Sequence, residues 1–215
     1  MAIPVLIIGK SGSGKTYSLK NFKPDEVAII SVEKGRLPFK SDLKTNKIPK
    51  TFKDVKTYSE LYAKKYRWIL DQIERDQRKS FVIDDSQYLL VNELFDRVNE
   101  KGYEKFTQMA ANFRNLIHWI NELDQEDKIV YFLHHTETDA DGREKAKTIG
   151  KMLDEKLTVE GCFDIVIYCQ DQKFYTQANG QSCAKTPEGM LDLEIPNDLK
   201  AVDSAIREYY GLEEK

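Results

Sequence analysis

The sequence predicts an α/β fold with a mostly parallel central sheet flanked by helices and with antiparallel strands near its C-terminal end. Short apolar segments alternate with longer segments in which apolar residues recur at helical spacing. A glycine-rich segment follows the first apolar run, and a later apolar run ends in two aspartates. This order is typical of a parallel sheet covered on both faces, whose ligands bind beyond the carboxyl ends of the strands.

The predicted elements follow this alternation along the chain. We predict strands over Ile3–Ile8, Val27–Val32, Ser80–Ser86, Lys128–His135, Phe163–Gln170 and Lys173–Ala178, with a last short strand at Cys183–Lys185. We predict helices over Thr16–Phe22, Ser59–Arg75, Gln87–Val98, Tyr103–Leu123 and Ile149–Val159, and a C-terminal helix over about residues 198–210. The lysine-rich segment Lys34–Lys53 and the charged segment Thr136–Lys147 are expected to be loops.

The composition is that of a globular protein. Its 215 residues suffice for one domain over residues 1–215 with a sizeable core. A net charge of -3 does not indicate nucleic-acid binding, which would need local basic patches. No apolar stretch approaches a membrane span and the first strand begins at once, so we expect neither a membrane anchor nor a signal peptide. The cysteines form no C-x-x-C pair, which favours reduced thiols in a cytoplasmic protein over a zinc site.

The segment after the first strand carries the phosphate-binding motif G-x-x-x-x-G-K-[ST]. Its glycines let the backbone turn tightly, and successive N–H groups then form an anion-binding nest. Lys15 supplies a mobile charge for the β- and γ-phosphates, and Thr16 a hydroxyl for Mg²⁺. We therefore predict ATP and Mg²⁺ as cofactors. The predicted nucleotide-binding residues are Gly9, Ser11, Gly12, Ser13, Gly14, Lys15, Thr16 and Tyr17.

Acidic residues stand where two predicted strands end. Asp84 follows an apolar run and is predicted to hold Mg²⁺ together with Thr16, directly or through water. Asp85 could orient the attacking water or the metal's ligands, although aspartate is also common in ordinary strand-end turns. Glu33 follows the second strand, where it could act as a general base or could be a solvated loop acid.

Histidine and lysine residues stand near two further strand ends. Successive residues of a strand point to opposite faces, so only one of His134 and His135 is expected to face the γ-phosphate. The spacing leaves open which of them does. Lys185 lies in the segment AKTPEGM, where it could reach a nucleotide of its own subunit or of the next one, or could be a surface lysine.

These features come in the order found in RecA-like ATPases, which the chain resembles through GKSGSGKT, Glu33, the VIDD strand end, the histidine-ended strand and AKTPEGM. More narrowly, the chain is similar from Ile3 to about Pro196 to phage-encoded RecA-like ATPases of the single-strand annealing and recombination type. The resemblance implies a RecA-like P-loop NTPase fold, with His135 as a sensor and Lys185 acting on a neighbour's ATP. The predicted catalytic residues are Lys15, Glu33, Asp85, His135 and Lys185.

The same resemblance implies the partners. It implies a Mg²⁺-dependent ATPase that acts on single-stranded DNA and forms a homo-oligomeric ring or filament in the cytoplasm of a bacterial host. A single-strand binding protein is a possible further partner, and no membrane is involved. Lysines at every third position from Lys44 to Lys56 could contact DNA phosphates, as could a second basic cluster between Arg143 and Lys151, which belongs to the loop that contacts DNA in the resemblance. For each cluster the alternative to DNA binding is that its lysines and arginines are solvated surface residues.

Other functions use the same nucleotide site. A helicase loader or another motor of DNA metabolism would differ only in its partner surfaces. A nucleotide kinase would need arginines on a lid, and the long loop carries only Arg36. A non-hydrolysing interaction protein would bind ATP without turnover, so only turnover data separate it from an ATPase.

Overall fold

The computed structural model of the chain describes residues 1–33, 35–154 and 156–212. Its strands are β1 (Ile3–Gly9), β2 (Val27–Ser31), β3 (Thr45–Lys47), β4 (Ser80–Asp84), β5 (Ile129–Thr138), β6 (Glu144–Ala146), β7 (Ile165–Gln170), β8 (Lys173–Tyr175) and β9 (Glu194–Pro196). Its α-helices are α1 (Tyr58–Arg75), α2 (Tyr88–Asp96), α3 (Glu104–Asn121), α4 (Lys151–Asp154) and α5 (Leu199–Tyr210), and 3-10 helices cover Thr16–Asn21 and Val159–Cys162. Lys34 and Glu155, which fall in a predicted loop and a predicted helix, lie outside the described residues.

The strands form a sheet in the order β3-β2-β4-β5-β1-β7-β8-β9, and β6 pairs with the far end of β5. Neighbouring strands from β3 to β7 are parallel, whereas β8 is antiparallel to both β7 and β9. The predicted α/β fold with antiparallel C-terminal strands is confirmed. Because β5 lies between β1 and β4, its carboxyl end comes between the ends of those two strands.

Two apolar layers cover the faces of this sheet. Along β1, Leu6 and Ile8 belong to one layer and Val5 and Ile7 to the other, because successive side chains of a strand point to opposite faces. The first layer includes the buried faces of α1, α2 and α3, and the second includes those of α5 and of the first 3-10 helix. No helix among the described residues is both long and apolar enough to cross a membrane.

Two segments predicted as loops contain short strands. In the lysine-rich segment, Thr45–Lys47 forms β3 at the edge of the sheet, parallel to Ile29–Ser31 of β2. A short lysine-bearing edge strand lacks an apolar pattern because its side chains face solvent. In the charged segment, β5 continues to Thr138 and turns back into β6, with Gly142 at a φ of +81° in the turn.

Two further predictions were wrong in detail, and one strand was missed. The predicted helix Ile149–Val159 is reduced to the single turn of α4, which begins directly after Gly150, a residue with a left-handed φ of +109°. The segment Cys183–Lys185 contributes one bridge between Lys185 and Val166 rather than a strand. Strand β9 was not predicted, because three residues without an alternating pattern give no periodic signal.

Candidate nucleotide-binding site

The phosphate-loop motif connects the carboxyl end of β1 to the 3-10 helix Thr16–Asn21. Gly12 and Gly14 have φ values of +81° and +111°, which residues with a side chain rarely adopt. A Cβ on Gly9 would lie 2.4 Å from the backbone oxygen of Cys169, so the loop passes too close to β7 for any other residue. A Cβ on Gly12 would meet nothing within 4 Å, and the loop is therefore open to a ligand at this point.

A clasp formed by Gln172 and Asn197 holds the phosphate loop from outside the motif. The β7–β8 turn places Asp171 and Gln172 at φ values of +49° and +59°, and the Gln172 N–H donates to the Ser13 oxygen (3.3 Å). Asn197 follows β9 and donates from Nδ2 to the Gly14 oxygen (3.0 Å) and to Gln172 Oε1 (3.1 Å). A Cβ on Gly14 would lie 2.4 Å from Asn197 Nδ2, so the clasp fits only a glycine.

Lys15 is nearly buried, with 7% of its surface exposed. Its Nζ donates to the backbone oxygens of Gly9 (2.6 Å) and Lys10 (2.9 Å), which fixes the ammonium group beside the loop. Burial lowers the pKa of Lys15, while the thiol and carboxyl groups around it act in the opposite direction. A cation that has already lost most of its water interacts strongly with a phosphate, because the local dielectric is low.

Thr16, the first residue of the 3-10 helix after the phosphate loop, lies beside Asp84, the last residue of β4. The Thr16 hydroxyl donates to Asp84 Oδ1 (2.9 Å), and Asp84 is 6% exposed. Burial, with a smaller effect of the neighbouring Asp85 charge, raises the pKa of Asp84 to about 6. Hydroxyl and carboxylate oxygens suit Mg²⁺, which keeps several waters and takes further oxygens from phosphates. The described residues contain no cluster of three or more metal-binding side chains, so phosphate and water would supply the remaining ligands.

Asp85 and His135 form a hydrogen-bonded pair that faces the same space. Asp85 has a φ of +61°, which turns the chain sharply at the end of β4. His135 Nε2 donates to Asp85 Oδ1 (3.1 Å), and the Tyr88 ring packs edge-on against His135 with ring centroids 6.0 Å apart. His135 is paired in register with Gly9, so β5 brings it beside the start of the phosphate loop. Such a pair can orient a water molecule next to a terminal phosphate.

His134 points into the core instead. Its Nε2 lies 2.8 Å from the Lys147 backbone oxygen and its Nδ1 lies 2.9 Å from the Ser86 hydroxyl. Burial lowers the pKa of His134 to about 4, so the ring is neutral at physiological pH. Because a carbonyl oxygen can only accept, Nε2 carries the proton and the Ser86 hydroxyl donates to Nδ1. His134 therefore links Ser86, in the turn after β4, to Lys147, which follows β6.

The phosphate loop, the Thr16–Asp84 pair and the Asp85–His135 pair line one cavity of about 670 Å³, a volume within the range of small-molecule sites. Its lining residues are Ser11, Gly12, Gly14, Lys15, Thr16, Tyr17, Arg36, Pro38, Asp84, Asp85, His135 and Gln172. The cavity thus contains most of the predicted nucleotide-binding residues, both predicted metal ligands and three of the predicted catalytic residues.

Arg36 and Pro38 were not predicted to belong to this cavity. They alternate with Leu37 and Phe39, which pack onto the core, so an extended backbone presents Arg36 and Pro38 on the opposite side. The Phe39 ring also packs edge-on against Tyr17, with centroids 6.0 Å apart. Arg36 is exposed and has no ion pair among the described residues, so its guanidinium group is available to a phosphate.

Two predicted catalytic residues lie outside the cavity. Glu33 Oε1 accepts a hydrogen bond from Asn92 Nδ2 of α2 (2.6 Å), and Glu33 lines a neighbouring cavity. Lys185 is exposed and is bridged to Val166 near the start of β7, away from the carboxyl end of that strand. A role for Lys185 in hydrolysis therefore requires a nucleotide bound to another subunit.

A sequence profile of the family described as an AAA domain matches residues 1–200, and the chain belongs to this family of P-loop ATPase domains. None of the curated proteins compared with the chain matches it. Among solved structures, the chain is similar to a prototypical ATPase from the type III secretion system of pathogenic bacteria (12% identity, TM-score 0.44, covering 77% of this chain and 50% of that one). It is also similar to a KaiC-like protein from the hyperthermophilic archaeon Pyrococcus horikoshii OT3 (13% identity, TM-score 0.41, covering 77% of this chain and 71% of that one). The chain spans about half the length of the first of these proteins.

Proposed function

We propose that this protein is a Mg²⁺-dependent ATPase that acts on single-stranded DNA in phage-type recombination or annealing. The observation that carries the hydrolytic part is that the phosphate loop, the Thr16–Asp84 pair and the Asp85–His135 pair surround one cavity. The DNA part is supported by the motif order, which resembles that of recombination and annealing ATPases. It is also supported by Lys47, Lys50 and Lys65, which line the neighbouring cavity that contains Glu33.

In this proposal each residue of the cavity has a task. The backbone N–H groups of the loop hold the phosphates, and Lys15 neutralises their charge. Thr16 and Asp84 hold Mg²⁺, which when bound withdraws charge from the phosphate oxygens. Asp85, oriented by His135, positions the attacking water and accepts its proton. The water oxygen forms a bond to the γ-phosphorus while the bond to the bridging oxygen breaks, which releases ADP and phosphate.

Arg36 is a further phosphate contact in this proposal. Lys15 and Arg36 are the only lysine or arginine residues among the described residues that line the cavity. Asp84 and Asp85 add negative charge beside a polyphosphate that is itself anionic, so a second cation stabilises the bound nucleotide. A guanidinium group can also form two parallel hydrogen bonds to one phosphate.

Glu33 and Lys185 cannot contribute to hydrolysis in the conformation of a single subunit. Glu33 needs a rearrangement of its side chain, and Lys185 needs a neighbouring subunit. Glu33 can polarise the attacking water only if its hydrogen bond to Asn92 breaks. Lys185 can reach a nucleotide only across a head-to-tail contact, so its proposed role depends on a homo-oligomeric ring or filament. Lys185→Ala would then lower hydrolysis in the assembled protein while leaving ATP binding by a single subunit unchanged.

The test of this proposal is ATP hydrolysis with single-stranded or double-stranded DNA over a range of salt concentrations. We expect stimulation by single strands that decreases as salt rises, because phosphate contacts release counterions. Turnover that does not respond to DNA would contradict the DNA part and would favour a helicase loader or another motor. Transfer of phosphate to an added nucleotide rather than to water would contradict hydrolysis and indicate a kinase.

A further inference from the structure

A second cavity, here called the lysine groove, lies beside the nucleotide cavity. It has a volume of about 410 Å³, and its walls include Glu33, Lys47, Lys50, Lys65, Tyr88 and Asn92. These residues come from the ends of β2 and β3 and from α1 and α2. We infer that the lysine groove binds the phosphodiester backbone of single-stranded nucleic acid. This inference rests on the proposed function, because it locates the DNA surface that the proposal requires.

The charge of the groove favours an anionic ligand. Lys47 and Lys50 have no ion-pair partner among the described residues, and Glu33 is the only acid among the described lining residues. The aliphatic part of Lys47 lies close against Gly35, where an added Cβ would come within 2.5 Å of Lys47 Cε. This contact limits the conformations of Lys47, so less side-chain entropy is lost when its ammonium group binds a phosphate.

The third lysine of the groove is combined with aromatic rings. Lys65 Nζ lies 4.0 Å from the centroid of the Tyr62 ring and 4.0 Å from Asp96 Oδ2. The Lys65 side chain is 15% exposed and this burial lowers its pKa, so its partly desolvated ammonium group would gain from a second anion. Tyr88 also lines the groove and is partly exposed, so it offers aromatic surface to a base, whereas Tyr62 is buried and its ring contacts Lys65. Cations beside aromatic rings are the combination that single-strand binding surfaces use.

The ligand is a polymer rather than a single phosphate group because the row of lysines extends beyond the groove. Lys44 precedes the two groove lysines of the row, and Lys53 and Lys56 follow them, all with exposed side chains. The apolar residues between them, Ile48, Phe52 and Val55, pack against the core, which turns the lysines outward. A chain of phosphates can contact such a row at several points, whereas a mononucleotide can contact it at only one or two.

The other basic cluster is less suited to this role because two of its four charges, those of Arg143 and Lys145, are already paired, whereas the exposed Lys147 and Lys151 have no ion pair among the described residues. In the β5–β6 hairpin, Arg143 forms ion pairs with Asp139 (3.5 Å) and Asp141 (2.8 Å). Lys145 likewise lies 3.1 Å from Glu137 and 3.0 Å from Asp154. A DNA phosphate would have to displace these carboxylates, so the lysine groove is the better phosphate-binding surface.

The groove also adjoins the groups of the nucleotide cavity. Tyr88 forms part of the groove wall, and its ring edge packs against His135. Glu33 and Asn92 form another part of the wall through their hydrogen bond of 2.6 Å. Phosphates in the groove would place negative charge beside Glu33, which provides a direct electrostatic route from nucleic acid to hydrolysis.

The test compares matched pairs of substitutions by fluorescence anisotropy with a labelled deoxythymidine oligonucleotide. Lys47→Gln/Lys50→Gln is compared with Arg143→Gln/Lys145→Gln in the hairpin, and thermal unfolding verifies that each variant is folded. For the groove variant we expect affinity to fall about tenfold and the salt dependence, as the slope of log K on log salt, to flatten by about 1.4, since two phosphate contacts are lost. For the hairpin variant we expect both the affinity and the slope to stay within about twofold of the wild-type values.

Loss of binding in the hairpin variant with normal binding in the groove variant would overturn this inference and leave the proposed function intact. A wild-type protein that binds no single strands would overturn the DNA part of the proposed function together with the inference. Equal affinity for a mononucleotide and for the oligonucleotide would also overturn the inference, because it would indicate a small phosphate-bearing substrate.

Discussion

Removing the Asn197 side chain tests how the phosphate loop is held in a shape that can bind phosphate. Asn197 is 7% exposed, and its amide donates to the Gly14 oxygen and to Gln172 Oε1 at 3.0 and 3.1 Å. Asn197→Ala leaves both acceptors without this partner. A buried acceptor that loses its hydrogen bond costs about 1–3 kcal/mol. Because Gly14 belongs to the loop, we expect most of this cost to appear as disorder of the loop in the nucleotide-free protein.

The loop must then be ordered when the nucleotide binds, so the cost lowers affinity. A loss of about 1.4 kcal/mol corresponds to about a tenfold weaker Kd. The assay is titration calorimetry with ATP and Mg²⁺, accompanied by thermal unfolding of the nucleotide-free protein. Asn21→Ala is the matched control, since Asn21 donates a single hydrogen bond to Asp198 (2.6 Å) near the same edge without contacting the loop. Unchanged ATP affinity in Asn197→Ala, or an equal loss in Asn21→Ala, would refute the reasoning about the clasp.

Three further predictions concern charge around the cavity. Arg36→Gln should weaken ATP binding about tenfold because a charge-assisted hydrogen bond is lost. The measurement is calorimetry, with the exposed Lys40→Gln as the control. Equal ATP affinity in the two variants would exclude a phosphate contact by Arg36. The pKa of Asp84 is raised from 3.8 to about 6 in the folded chain, so the stability of the nucleotide-free protein should decrease as the pH rises through that interval. Mg²⁺ binding should strengthen over the same interval. Asp84→Asn should remove the trend in metal titration and weaken the trend in thermal unfolding, to which Glu93 also contributes because burial raises its pKa to about 7. Asn92→Ala should release Glu33 and raise DNA-independent turnover several-fold over wild type, and an unchanged rate would contradict the role of Glu33 in hydrolysis.

The sequence predicted the centre of the fold and of the site because those features are local. A phosphate loop, an apolar strand ending in acids and helical apolar spacing each depend on a few neighbouring residues. The alternation rule also limited the two histidines to one that faces the cavity, and the structure places His135 there and His134 in the core. Strands β3 and β6 were missed because each has only three residues, all polar in β3 and two of them charged in β6, and such short segments give no periodic apolar signal.

The surroundings of the site could not be predicted because they depend on tertiary contacts. Gln172 and Asn197 reach the loop only because β8 and β9 extend the sheet past β7. A weak signal existed for Gln172, since two residues between adjoining strands indicate a tight turn at the strand end. Arg36 had a similar signal in the alternating apolar residues that follow it. Glu33 follows β2, and the direction of its side chain is set by Asn92 of α2, which lies far along the chain.

The measurement that tests the central claim most directly is steady-state ATP hydrolysis by the wild-type protein, Lys15→Ala and Asp85→Asn, with and without Mg²⁺. We predict turnover that requires Mg²⁺, that is abolished in Lys15→Ala, and that falls by about 10²–10⁴-fold in Asp85→Asn while ATP binding is retained. Tight ATP binding with no turnover by the wild-type protein would contradict the claim and indicate a protein that uses ATP only as a ligand. Undiminished turnover in Asp85→Asn would contradict the placement of the attacking water beside the Asp85–His135 pair.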